Sequence, residues 1–216
     1  RIGVMTAVPG GIPLHPECRE AIDRTAAMLS DLGHRVEESW PQALTKERKD
    51  MYEFIGSAIY RLDFEHIERL LGRPLRKEDV EPYHWDVADM GNACGPAIDL
   101  LLAQEDDHAW CGEVLDWWQQ GYDILLTPTV AVPPLPNAEL RPPMDTPSIG
   151  EETRRLTALT RPFNLTGQPA ISLPLHWTND GLPVGMQFVA DMGREDVLIQ
   201  LAAQLEEAMP WCDRFP

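Results

Sequence analysis

The 216-residue chain is 44% apolar and 25% charged, an ordinary globular composition with enough length for a sizeable core. Its net charge of −17, with only three lysines, argues against nucleic acid and anionic membrane as partners, because each phosphate must be met by Lys or Arg. Apolar runs fall short of the ~18 residues that span a bilayer, and the four scattered cysteines fit neither a disulfide framework nor a Cys-x-x-Cys zinc pair. Reduced core thiols in a cytoplasmic protein are the expectation.

Residues 1–5 read as a strand with no recognisable leader before it, as in a chain entered part-way through. Pro16 suits a first helical turn, and Ile22, Thr25, Ala26, Leu29 and Leu32 mark one helical face that Gly33 ends. "HRVEES" follows as a short strand, so a long crossover joins two strands and implies parallel pairing. Residues 44–121 are mainly helical in pattern, with one helix across 51–71 and a second running from Pro96 to Gly121.

"DILLTPTV" reads as a buried strand, and residues 131–147 as a proline-stiffened loop wrapped over a site. A short helix is expected near 151–160. The stretch "RPFNLTGQP" then reads as a turn-bearing pocket wall, with Asn164, Thr166, Gly167 and Pro169 as its polar and turn residues. "PAISLPL" and "PVGMQFVA" are strands joined by "TNDG", and 194–208 is an amphipathic helix with Glu195 and Asp196 in its first turn. The fold class is therefore α/β, a mixed sheet packed with helices.

A catalytic engine is harder to find. No serine sits in a Gly-x-Ser-x-Gly elbow. Ser57 reads as a small helix-packing residue and Ser172 as part of a strand; either needs a base within hydrogen-bond reach to act. Lys46 and Lys49 fall in a solvated charged run. Cys94, before a helix, reads as a structural thiol rather than an activated one. Glu105 and His108 are three apart on a helix, but two ligands do not make a transition-metal site, and a solvated acidic face is the plainer reading. Tyr83, Trp85 and Asp86 form either a pocket lining or an aromatic anchor in a core.

Four segments in one order, "DILLTPTVAVPPLP", "RPFNLTGQPAISLPL", "GLPVGMQFVADMGREDVLIQLAAQLE" and "PWCDRFP", resemble the C-terminal half of amidase signature family enzymes. "RIGV" with "HPECREAIDRTAAMLSDLGHRVEE" resembles the strand–helix–strand after that family's Gly/Ser-rich signature. The details are most similar to the branch of broad amidases acting on aryl, aliphatic or cyclic amides, including nylon-oligomer hydrolases. The resemblance implies amide hydrolysis through a Ser–cis-Ser–Lys triad and an acyl-enzyme, without metal or organic cofactor.

No position of this chain matches the triad or the oxyanion loop. The expectation is accordingly that residues 1–216 are the C-terminal portion of one amidase domain, inactive alone. The alternative is a non-catalytic binding or regulatory module, or a split subunit, descended from an amidase. The resemblance places Thr127, Thr157, Arg161 and Asn164 as substrate-pocket candidates; local turn bonding is the competing reading for Asn164 and Thr166. Expected partners are a small-molecule amide and the N-terminal half of the same enzyme, with a homodimer left open.

Overall fold

The structure, a computed structural model, describes residues 1–46, 51–92, 95–136 and 151–214, the side chains of 51–53, 83 and 151–153 excepted. Two compact units emerge. The first comprises residues 1–47, 111–140 and 150–216, and the second residues 48–110 and 141–149.

The first unit is built on a five-stranded mixed sheet of order β2-β1-β3-β5-β4. Its strands are β1 (Ile2–Val4), β2 (Val36–Glu38), β3 (Ile124–Pro128), β4 (Ala170–Trp177) and β5 (Pro183–Ala190). β1 lies parallel to β2 and β3, whereas β5 runs antiparallel to both β3 and β4. The expected strand–helix–strand crossover is present, with α1 (Pro16–Asp31) as its helix. Pro16 opens α1 at a position where a missing N–H costs nothing, and the His15 ring accepts the Glu17 N–H at 3.2 Å.

One face of this sheet carries the main core. Val4, Leu126, Met186 and Phe188 meet Ile22 and Leu29 of α1 and Leu198, Leu201 and Leu205 of α7 (Glu195–Ala208). Alternation along each strand sends Leu126, Met186 and Phe188 to this side and their neighbours to the other. On that other face Gly3 is obligatory, because an added Cβ would overlap the Trp117 ring and the Ser39 carbonyl. Trp117 is fixed there by stacking on Tyr122 at 4.0 Å and by donating its indole N–H to the Ser39 hydroxyl at 3.0 Å.

The second unit contains α2 (Met51–Leu71), α3 (Pro82–Asn92) and the first part of α4 (Ala97–Leu115). Phe64, Leu75 and Ala88 form its buried centre, with the Trp85 ring edge-on to Phe64 at 5.0 Å. Gly91 lets α3 press on the Ser57 backbone, where a Cβ would overlap the Ser57 carbonyl.

Three expectations are corrected. α4 ends at Leu115 rather than near Gly121, which instead closes a separate 3-10 turn, Trp118–Gln120, at φ 84°. "RPFNLT" is not turn-bearing but a six-residue helix, α6 (Arg161–Thr166), after α5 (Glu151–Thr157). Pro162 opens α6 and Gly167, at φ 73°, caps its end by donating its N–H to the Phe163 carbonyl. The cysteines are not uniformly core thiols: Cys18 is buried, Cys111 half-buried and Cys212 exposed, and none of the three is in a disulfide.

Candidate functional site

A group of polar side chains from three strands lies on the sheet face opposite the main core. Thr127, Gln187 and Ser172 are in register across β3, β5 and β4. The buried Gln187 amide donates to the Thr127 hydroxyl at 3.0 Å and to the Leu159 carbonyl at 2.9 Å. The Thr127 hydroxyl in turn donates to the Pro128 carbonyl at 2.8 Å. One bond ties Gln187 to β3 and the other holds the α5–α6 connection against the sheet. Thr127, expected at a pocket mouth, is fully buried and accepts from Gln187.

At the margin of the same face the Thr129 and Ser172 hydroxyls meet at 2.5 Å. The Thr129 N–H extends the β3–β5 ladder by donating to the Gly185 carbonyl at 2.9 Å. Gly185 leaves the space beneath the two hydroxyls open: a Cβ there would lie 2.7 Å from both oxygens. Ser172 is exposed, so this pair is reachable from solvent.

The three remaining candidates lie on α5 and α6. Thr157 and Asn164 are exposed and Arg161 is half-buried. Arg161 and Asn164, three residues apart, share a side of α6, while Pro162, Phe163 and Thr166 are buried on the other. Thr166 donates to the Gln168 side-chain carbonyl at 3.0 Å, and the Gln168 amide donates to the Ala190 carbonyl at 2.9 Å. The expected bond from Thr166 to local backbone is not the one found: its hydroxyl meets the Gln168 side chain instead, at the exit from α6. Asn164 projects into solvent with no side-chain hydrogen bond to the described residues.

Among the described residues, neither Ser172 nor Ser57 meets a base. Ser172 is bonded to Thr129, and Ser57 donates to the Phe54 carbonyl at 3.0 Å, the packing role its setting suggested. Burial pushes the Cys18 thiol up to about 12, which keeps it protonated and inert. Lys46 pairs with Glu113 at 2.6 Å. Glu105 and His108 are both exposed. Trp85 is the aromatic anchor beside Phe64, and Asp86 is exposed. Cys94, Lys49, the Tyr83 side chain and the later part of the proline-rich loop lie outside the described residues.

An apolar-backed wall of amide and hydroxyl groups, carried on a sheet and two short helices, suits binding of a small polar molecule. Residues 1–199 match the amidase family, and the chain belongs to it. It is 41% identical to a 6-aminohexanoate-cyclic-dimer hydrolase of Pseudomonas sp. (strain NK87), over 100% of this chain and 45% of the relative. The corresponding figures for the hydrolase of the same name from Paenarthrobacter ureafaciens are 40%, 100% and 45%. A lipoamidase of Enterococcus faecalis is 30% identical over 95% of the chain and 31% of its own length.

Among solved structures, 6-aminohexanoate cyclic dimer hydrolase complexed with substrate superimposes with a TM-score of 0.92 at 37% identity. That match covers 100% of this chain and 46% of the hydrolase. A bacterial aryl acylamidase of the amidase signature family shares the fold with a TM-score of 0.74 at 21% identity. The chain therefore spans about half the length of the curated relatives it matches most fully.

Proposed function

We propose that this chain is the C-terminal part of an amidase that hydrolyses carboxylic amides, cyclic ones foremost, and that it supplies pocket wall rather than chemistry. The observation that carries this reading is 41% identity, along the whole chain, to a hydrolase named for a cyclic amide dimer. In the proposed enzyme a Ser–cis-Ser–Lys triad outside this chain forms and hydrolyses the acyl-enzyme. Arg161, Asn164 and Thr157 border the substrate channel, and Thr127 acts indirectly by fixing Gln187.

Two features support completion by further protein. Among the described residues, β4 pairs only with β5, which leaves its other edge of N–H and C=O groups open. In the second unit Ile59, Leu62, Leu70, Ile98, Leu101 and Leu102 are exposed, an apolar surface of the kind that another segment covers. A cytoplasmic location belongs to the same proposal, supported by Cys18, Cys111 and Cys212 not being in disulfides. Among the described residues no helix is long and apolar enough to cross a membrane.

The reading is tested by joining the chain to the upstream sequence of its own gene and assaying 6-aminohexanoate cyclic dimer beside an aryl anilide. Release of a free amine from either supports amide hydrolysis, and a higher kcat/KM for the cyclic dimer supports the substrate class. Tight binding of amides without turnover favours the non-catalytic module instead.

A further inference from the structure

Away from the wall just described, the first unit holds a cleft of about 230 Å³ whose lining includes Arg24 and Met28 of α1, Leu175 and Trp177 of β4, and Met209 and Arg214 after α7. Its chemistry is two-sided. Met28, Leu175 and Met209 give it an apolar wall, and two exposed arginines, Arg24 and Arg214, line it although the chain carries a net charge of −17. Arg24 is paired at 2.6 Å with Glu20, one turn earlier, but both are largely exposed and a guanidinium has five N–H donors, so this contact does not exhaust it. His176, also in the lining, is committed elsewhere: its buried ring meets the Glu17 carboxylate at 3.1 Å.

The cleft wall also contains an unmet donor. The Trp177 indole nitrogen is buried and has no hydrogen-bond partner among the described residues. Because that nitrogen is closed to solvent, Trp177 offers a ligand in the cleft its ring as wall and reporter rather than its N–H as donor. The geometry points to a second binding site, in which a small organic carboxylate is held by Arg24 and Arg214 while its apolar tail lies along Met28, Leu175 and Met209. The volume suits a ligand of fragment size, below the ~300 Å³ of ordinary drug-sized pockets. Paired guanidinium groups favour a planar carboxylate, and the tail separates such a ligand from a bare inorganic anion.

The test uses 5-fluorotryptophan labelling of the full chain, alone or joined to the segment that completes the enzyme, with the Trp177 resonance assigned by Trp177→Phe. Hexanoate is titrated against hexan-1-ol, its uncharged counterpart, and inorganic phosphate, which lacks a tail. A saturable Trp177 shift is expected with hexanoate, with much weaker responses to the other two. The double variant R24Q/R214Q changes only exposed side chains and weakens hexanoate binding by about tenfold or more, the scale of a lost charge-assisted bond. No saturable shift, an equal response to hexan-1-ol, phosphate binding as tight as hexanoate, or an unaffected double variant overturns the proposal. None of these readouts depends on amide hydrolysis.

Discussion

Thr129 and Ser172, forty-three residues apart, join their hydroxyls at 2.5 Å over the bare backbone of Gly185. The pair exists because glycine leaves room for it on the middle strand. Gly185→Ala places a methyl 2.7 Å from both oxygens and forces them apart. The expected cost is about 1–3 kcal/mol, as for other overpacked sites. Ser172→Ala alone should cost at most about 1.5 kcal/mol, and it should recover part of the Gly185→Ala loss by removing one of the two clashes. Equilibrium denaturation of the two single variants and the double variant measures this coupling; strict additivity would contradict it.

Gln187 is the strut between the sheet and the α5–α6 connection. Gln187→Leu keeps the volume but leaves the buried Leu159 carbonyl without its donor. A loss of about 1–3 kcal/mol is expected, with faster amide exchange across 157–163 than in α7. Uniform exchange changes over both segments would mean that the strut does not act locally.

Much of the scaffold around this strut is legible in the sequence. The apolar spacing of α1 and the alternation of β5 both state which face is buried, since each period repeats several times within its element. α6 lacks that advantage. Six residues give less than two turns, so Gly167 and Pro169 read as a turn, whereas Gly167 is the cap of a helix that Pro162 opens. The site itself is less legible still. Gln187 and Thr127 are sixty residues apart, and only register across β3 and β5 brings them together. For that reason Thr127 reads as a pocket residue in sequence and as a buried acceptor for Gln187 in structure.

The cysteines separate by environment. Cys18 is fully buried and its thiol is pushed up to about 12 by that burial, so almost no thiolate exists at pH 8. Cys212 is exposed. Brief alkylation of the native protein at pH 8, followed by peptide mass analysis, should label Cys212 and leave Cys18 unmodified until denaturant is added. Early labelling of Cys18 would show that its helix opens readily.

In the second unit Asp79 is held at about 2, against an ordinary value of 3.8, chiefly by the side-chain hydrogen bond from Arg73 and then by the Arg76 backbone N–H. A folded value below the unfolded one means that this contribution is complete above about pH 4 and is lost as the pH falls through about 2. Asp79→Asn should therefore speed exchange of the Arg76 amide, which donates to Asp79 at 2.7 Å. It should also flatten the acid-side change in that exchange, corrected for intrinsic chemistry. An unchanged profile in the variant would place the acid sensitivity elsewhere.

The most direct measurement is hydrolysis of 6-aminohexanoate cyclic dimer by residues 1–216 alone, beside the same chain joined to its upstream sequence. The longer protein should release free amine. The chain alone should release none, because Ser172 and Ser57 meet no base among the described residues and Cys18 is inert. Turnover by residues 1–216 that survives Ser57→Ala and Ser172→Ala but vanishes with Cys94→Ala would contradict the account, by placing the chemistry within this chain.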